Sequence, residues 1–169
     1  MDSIQQINAM DRDVFVERFG PIYERSPWVA ERVSAQRPLG SVDEIYAAMQ
    51  KCVLTASHEE QLALIRVHPE LLGKLAPVEQ ISAESRSEQE AVGLDQCSPQ
   101  ELAQLRMLTR AYREKFGFPF VVAVRGMTRW DIIERMKLRL ANQAKQEFRT
   151  CLEEIGRIAR FRLDDLLRS

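Results

Sequence analysis

Apolar residues recur along most of the chain at the spacing of one helix face, and most of these runs begin at a capping residue. A serine stands three residues before an acid, the spacing of a capping box, in "SVDEIYAAMQKCVL", "SHEEQLALIRV" and "SPQELAQLRMLTRAYREKFG". In "SPWVAERV", Ser26 is the predicted cap and Pro27 the first helical residue. The pattern therefore predicts helices that begin after four serines: Ser26, Ser41, Ser57 and Ser98.

The last forty or so residues carry the strongest helical pattern. From Thr128 onward no proline interrupts the chain, and apolar side chains follow one broad stripe. This segment predicts one very long helix, or two helices joined near Asn142. With Gly117 as a stop for the preceding helix, the whole chain predicts an all-α fold of seven or eight helices in a single domain, residues 1–169.

Two segments depart from this helical pattern, residues Pro69 to Ser87 and Gly117 to Met127. Only "FPFVVAVRG", Phe118 to Gly126, is rich in β-branched and aromatic residues. Because a sheet needs partner strands, this single run predicts an extended connection and not a sheet.

The composition of the chain argues against several classes of function. The chain has 169 residues, 45% hydrophobic and 29% charged, with 24 basic and 25 acidic side chains. Such a balance gives no bulk attraction to nucleic acid or to an anionic membrane, and acidic neighbours dilute the basic tail "RIARFRL". No stretch is apolar enough to span a membrane or resembles a secretory signal, and three widely spaced cysteines favour a reducing compartment. We therefore expect a cytoplasmic protein.

The stretch "IRVHPELLGK" places one of only two histidines directly before a proline. Proline disfavours helical backbone in the residue before it, so the incoming helix should stop near Val67 or His68. A histidine there can give or take a proton near neutral pH. Alternatively, His68 only caps the helix end. His58, among glutamates in a first helical turn, is expected to be a solvated surface residue.

The second candidate stretch is "SRSEQEAVGLD". Ser85 and Glu88 have capping-box spacing, which by itself accounts for both residues. A helix N-terminus is also a favourable site for an anion, and the side chains of Glu88 and Gln89 can pair with amide or urea groups.

The third candidate stretch is "KFGFPFVVAVRG". Phe118, Phe120 and Val122 are expected in the core. The backbone of an extended segment has N–H and C=O groups that need partners, and a planar polar ligand could supply them. Arg125 could hold a carboxylate bidentately, although a lone arginine is often a member of a surface ion pair. The sequence shows no phosphate loop, no serine-nucleophile elbow and no histidine pair at metal-ligand spacing.

Taken together and in this order, these segments resemble the family of 2-oxo-4-hydroxy-4-carboxy-5-ureidoimidazoline (OHCU) decarboxylases. The resemblance covers nearly the whole chain. Its pieces are "SPWVAERV", "HPELLGKLA", "SRSEQEAVGLD", "YREKFGFPFVVAVRG", and "RLAN" with the glutamate of "QEF".

The resemblance implies an all-helical homodimer that needs neither metal nor organic cofactor and decarboxylates a small-molecule substrate to S-allantoin. It places the catalytic histidine on His68, with Glu88 assisting in proton movement. The substrate-binding residues that it implies are Pro69, Ser85, Arg86, Ser87, Glu88, Gln89, Phe120, Val121, Val122, Ala123, Val124 and Arg125.

Two alternatives stay open at the level of sequence. The chain could be a non-catalytic helical interaction module whose long C-terminal stripe binds a partner helix. It could also be a decarboxylase-like enzyme for a related ureide. Convergence of His68, Glu88 and the backbone of residues 120–124 on one pocket would favour the enzyme.

Overall fold

The structure, a computed structural model, describes residues 3–71, 83–91, 93 and 96–168. Across these residues the secondary structure is helical, with a 3₁₀ turn at Gly20–Ile22 and no strand. Nine α-helices lie in this described part of the chain: α1 (Ile4–Ala9), α2 (Arg12–Phe19), α3 (Trp28–Ser34), α4 (Val42–Leu54), α5 (His58–Arg66), α6 (Ala83–Ala91), α7 (Pro99–Phe116), α8 (Arg129–Leu140) and α9 (Ala144–Arg168).

The all-α prediction is confirmed, but the predicted helix count is too low. The additional helices include α1, whose six residues are too few for a convincing apolar pattern. Ser3 and Gln6 cap α1 reciprocally, since each side chain bonds the other residue's backbone N–H. No helix in the described ranges is long and apolar enough to cross a membrane.

Most of the predicted helix boundaries are confirmed. Ser41 and Ser98 accept hydrogen bonds from the backbone N–H groups three residues on, and Ser57 does the same for α5. Gly117 ends α7 in the left-handed conformation, with φ of 76°. The C-terminal segment is two helices that meet at residues 141–143, so the predicted join near Asn142 is also confirmed.

Two boundary predictions are wrong. Pro27, not Ser26, occupies the N-cap of α3, because the Ser26 hydroxyl donates instead to the carbonyl of Glu24 at 2.8 Å. Of the segment from Pro69 to Ser87, predicted to be irregular, the part from Ala83 onward is helical. Residues 72–82 lie outside the described ranges.

The chain divides into two compact units. The first comprises residues up to Leu64 together with residues from Ile155 onward, and the second comprises Ile65–Glu154. Fully buried side chains of the first unit include Ile7, Phe15, Phe19, Tyr23, Val33, Ile45 and Val53. Those of the second unit include Leu105, Tyr112, Ile132, Met136 and Cys151.

Candidate active site

His68 lies just beyond the C-terminal end of α5, as its position before proline predicts. Its backbone N–H donates to the carbonyl of Ile65 at 3.2 Å, which closes the helix end. The residue is only 6% exposed, whereas the preceding Val67 is 36% exposed. Pro69 is half-buried. The imidazole is therefore held in an environment where its interactions are weakly screened.

An ion pair fixes the residue that follows the His-Pro pair. Arg113 of α7 donates through Nε to Oε1 of Glu70 at 3.2 Å. Partial burial raises the pKa of the Glu70 carboxyl, and the charge of Arg113 opposes that rise. Sequence reasoning missed this contact. The sequence shows only that an acidic residue, Glu70, stands near the candidate histidine and that a basic residue, Arg113, occurs in "YREKF".

The second candidate segment lies on α6. Ser85 is 5% exposed, Glu88 is half-buried and Ser87 is exposed. Residues three apart on a helix share a face, so Ser85 and Glu88 point to the same side. Because α6 begins at Ala83, Ser85 lies inside the first turn and is not its cap. The side chains of Arg86 and Gln89 lie outside the described structure.

The third candidate segment runs without helix between two glycines that have positive φ, Gly117 at 76° and Gly126 at 80°. The backbone turns at its end, where the N–H of Met127 donates to the carbonyl of Val124 at 2.9 Å. Phe120, Val121, Val122 and Val124 are buried, Ala123 is half-buried and Arg125 is exposed. As predicted, the segment forms no strand, and the core positions predicted for Phe118, Phe120 and Val122 are confirmed.

Side chains of α8 and α9 bind one edge of this segment. Arg139 donates through Nη1 to the carbonyl of Val121 at 2.6 Å, and the N–H of Ala123 donates to Oε2 of Glu154 at 2.8 Å. The backbone of Val121 also hydrogen-bonds the thiol of Cys151. These groups belong to alternate residues, as expected for an extended chain whose every second residue faces the same way. The two helices thus take the place of a partner strand.

Arg139 is itself fixed by a buried network. It pairs through Nε with Oε1 of Glu147, and Asn142 donates to the other carboxylate oxygen at 3.0 Å. The guanidinium lies over the Phe120 ring at 4.3 Å. With Arg139 4% and Glu147 0% exposed, the ion pair is almost wholly shielded from water. In the sequence, this network corresponds to the polar side chains of "RLAN" and "QEF", which stand beside an apolar stripe. The sequence alone gave these side chains no role.

All candidate residues that the structure describes belong to the second compact unit, Ile65–Glu154. They come from the end of α5, from α6 and from the segment between α7 and α8. Their convergence on one pocket stays a prediction. Within the described ranges, no group of three histidine, cysteine or acidic residues is arranged to hold a metal ion.

These features define a class of protein: an all-helical fold with a buried histidine before proline and a non-helical segment fixed by buried charges. A family model described as OHCU decarboxylase matches residues 8–164. The chain is 43% identical to a 2-oxo-4-hydroxy-4-carboxy-5-ureidoimidazoline decarboxylase of Haloferax volcanii, over 95% of this chain and 94% of that protein. The chain therefore belongs to the OHCU decarboxylase family.

Two further relatives are longer than this chain. A uric acid degradation bifunctional protein of a Bacillus species is 40% identical over 99% of this chain, which spans 33% of that protein. The solved structure of an (S)-allantoin synthase superposes with a TM-score of 0.79 at 25% identity, over 98% of this chain and 54% of the other. The family match, residues 8–164, runs through both compact units.

Proposed function

We propose that this protein is a carboxy-lyase that converts 2-oxo-4-hydroxy-4-carboxy-5-ureidoimidazoline to S-allantoin and carbon dioxide in the breakdown of urate. The observation that carries the proposal is the family match over residues 8–164, together with relatives bearing that name. The presence of His68, Glu88 and the 120–124 segment in one compact unit supports it.

The chemistry needs little from the protein beyond its own side chains. Electrons left behind by carbon dioxide can delocalise into the carbonyl and ring nitrogens of the substrate. The protein then has to orient the substrate, stabilise developing charge and deliver a proton to one face of the intermediate. We infer that neither a metal nor an organic cofactor takes part.

In this proposal His68 is the acid/base group. It acts near the hydroxyl and carboxylate of the substrate and helps to place the proton that makes the product the S enantiomer. Pro69 restricts the backbone from which the imidazole projects and contacts the substrate. The burial of His68 supports this role, because a proton is delivered with control only where water is excluded.

The first turns of α6 would bind the ureido and ring amide groups. Ser85 and Glu88 share one helix face, and Glu88 accepts hydrogen bonds from substrate N–H groups and assists proton movement. Arg86, Ser87 and Gln89 complete this element, Gln89 by both donating and accepting. The N-terminal end of α6 is the positive end of its helix dipole, which favours an anionic substrate.

The segment from Phe120 to Val124 would supply backbone hydrogen bonds to the imidazoline ring. Of its groups, the carbonyl of Val121 and the N–H of Ala123 are already bound by Arg139 and Glu154. The groups of alternate residues, which in an extended chain face the other edge, are therefore the ones we assign to substrate, except the carbonyl of Val124, which accepts from Met127. Arg125, exposed just beyond them, would pair with the substrate carboxylate.

The test supplies the full chain with freshly made 5-hydroxyisourate and its hydrolase, and follows the optical activity of the solution. We expect S-allantoin to appear many times faster than in a reaction that lacks this protein. Equal rates with and without the protein would refute the proposal. They would leave a non-catalytic helical module, or an enzyme for a related ureide, in its place.

We further propose that the protein works as a homodimer in the cytoplasm. Sedimentation of the purified chain tests the first point. A species of twice the 19.5 kDa chain mass supports the dimer, and a species of the single-chain mass at working concentration contradicts it.

A further inference from the structure

Both peptide units that flank Val122 are hydrogen-bonded on one edge by a buried charged side chain. The carbonyl of Val121, which accepts from Arg139, shares a peptide unit with the N–H of Val122. The N–H of Ala123, which donates to Glu154, shares the next peptide unit with the carbonyl of Val122. A cation therefore polarises one unit and an anion polarises the other, both from the side of α8 and α9.

Burial makes this polarisation strong. Arg139 and Glu154 are each 4% exposed, so water screens their charges little. Hydrogen bonds to ionised groups are about twice as strong as neutral ones, and bonds in a chain strengthen one another. Glu147 and the Phe120 ring hold the guanidinium in place, so its direction is fixed before any ligand arrives.

The two polarised peptide units contain the backbone N–H and C=O of Val122. In an extended chain the N–H and C=O of one residue point to the same edge, opposite to those of its neighbours, and can exchange two hydrogen bonds with one partner. Among the residues that the structure describes, the hydrogen bonds found for residues 121–124 use Val121, Ala123 and Val124 and do not use Val122. Val122 thus offers an adjacent donor and acceptor for a ligand.

We propose that Arg139 and Glu154 are positioning residues that strengthen the N–H of Val122 as a donor and its C=O as an acceptor. The partner is the edge of a lactam or urea group, which presents one N–H and one C=O side by side. The inference rests on the proposed function and names the side chains through which the backbone of residues 120–124 recognises the substrate ring.

The first variant is Glu154→Gln. The amide oxygen of glutamine can still accept from the N–H of Ala123, so the geometry is kept and the charge is lost. We expect KM to rise about twofold to fivefold, because the bond between the ligand and the C=O of Val122 loses the strengthening that the charge of Glu154 transmits. The value of kcat should stay within about twofold, because ring binding is common to ground and transition states. The matched control is Glu153→Gln, one residue earlier on α9 and exposed.

The second variant is Arg139→Lys. Lysine keeps the charge that Glu147 needs but lacks the planar fork that reaches Glu147 and Val121 together. The KM of this variant should rise in the same way. The matched control is Arg135→Lys, because Arg135 is exposed and lies one turn earlier on α8. If Arg139→Lys fails to fold, the outcome for Glu154→Gln decides the proposal.

Selective isotope labelling provides a signature that a purely structural role would not produce. Residues 121 and 122 are the one Val-Val pair of the sequence, so valine labelled at carbonyl carbon and amide nitrogen gives one correlated signal for that peptide unit. In Arg139→Lys its amide proton should move to higher field, as a weaker donor does. Valine labelled at the carbonyl carbon together with alanine labelled at nitrogen reports residues 122–123, with Val29–Ala30 as internal reference. In Glu154→Gln the carbonyl carbon of Val122 should move to higher field, as a less polarised C=O does.

The outcomes separate the two proposals. A wild-type chain that does not accelerate S-allantoin formation refutes the proposed function. An active wild-type chain with Glu154→Gln matching Glu153→Gln in KM, or with unmoved peptide signals, overturns only the role of Arg139 and Glu154. Raised KM together with the two shifts supports that role.

Discussion

His68 illustrates how a single residue is read from sequence and from structure. Beside a proline, a histidine is either a helix cap or a group prepared for chemistry, and local sequence does not separate the two. The residue is 6% exposed and lies beyond the last turn of α5. A partly buried cap and a catalytic group would both show this burial, so the two roles are separated by variants.

The two histidines provide a matched pair of variants. His68→Ala should lower kcat by about 10²–10⁴-fold, the usual contribution of a general acid or base, while the helical circular dichroism spectrum is kept. His58→Ala, at the exposed start of α5, should leave turnover unchanged. Both rates are measured in the S-allantoin assay. Loss of helical signal in His68→Ala, or an equal loss of rate in His58→Ala, would show that the role of His68 is not catalytic.

Among whole elements, those set by local contacts were the predictable ones. Ser98 with Glu101 and Thr128 with Asp131 form capping boxes across three residues, so the sequence contains both partners. The start of α6 and the ion pair of Arg139 with Glu147 were not predictable in this way. Arg139 donates a hydrogen bond to the carbonyl of Val121, 18 residues away in the chain. That contact forms only because α8 packs beside the segment that contains Val121. Sequence motifs therefore predicted the segments of the candidate site, but not the buried side chains, such as Arg139 and Glu147, that hold those segments in place.

The packing of α4 against α9 in the first unit depends on a glycine. A Cβ added at Gly156 would lie 1.7 Å from Nε2 of Gln50. That amide donates to the hydroxyl of Tyr46 at 3.1 Å, and the hydroxyl in turn donates to the carbonyl of Gly156 at 3.2 Å. Gln50 also accepts from the hydroxyl of Tyr23 at 3.3 Å. An alanine at position 156 would force Gln50 out of these bonds.

Gly156→Ala should therefore destabilise the protein by about 1 kcal/mol, although alanine is favoured over glycine in a helix by a similar amount. In a Gln50→Ala background the collision is gone, and the same substitution should stabilise the protein by up to about 1 kcal/mol. Urea unfolding of the four proteins measures both steps. An equal change in the free energy of unfolding in the two backgrounds would mean that Gln50 is not what excludes the methyl group.

The molecule carries nearly equal numbers of acidic and basic groups, but folding shifts the pKa values of individual carboxyl groups in opposite directions. Hydrogen bonds lower the pKa of three of them: the Arg32 side chain acts on Glu60, and the backbones of Ser98 and Thr128 act on Glu101 and Asp131. Burial raises the pKa of Glu70. The three lowered groups stabilise the fold when ionised, whereas Glu70 favours it when protonated.

The sign of the acid response follows from these shifts. A carboxylate with a lowered folded pKa contributes stability above its unfolded value, 4.5 for glutamate, and loses it as pH falls through the folded pKa. Glu70 acts oppositely, since its contribution declines as pH rises through 4.5 towards its raised folded pKa. In the described part of the chain three such groups act against one, so the melting temperature should fall as pH is lowered below about 4.5.

Glu101→Gln isolates one of these groups. Glutamine preserves the reciprocal bond of the capping box but gives up the charge that pairs with Arg129 at 3.0 Å. The variant should melt below wild type at pH 7, and the gap should close as pH falls below 4.5 and through the lowered pKa of Glu101, where the wild-type side chain is itself protonated. Thermal melts across this range measure the gap, with Glu153→Gln as an exposed control. A gap that stays constant with pH would mean that the amide disturbs the cap itself and that the charge of Glu101 adds no stability.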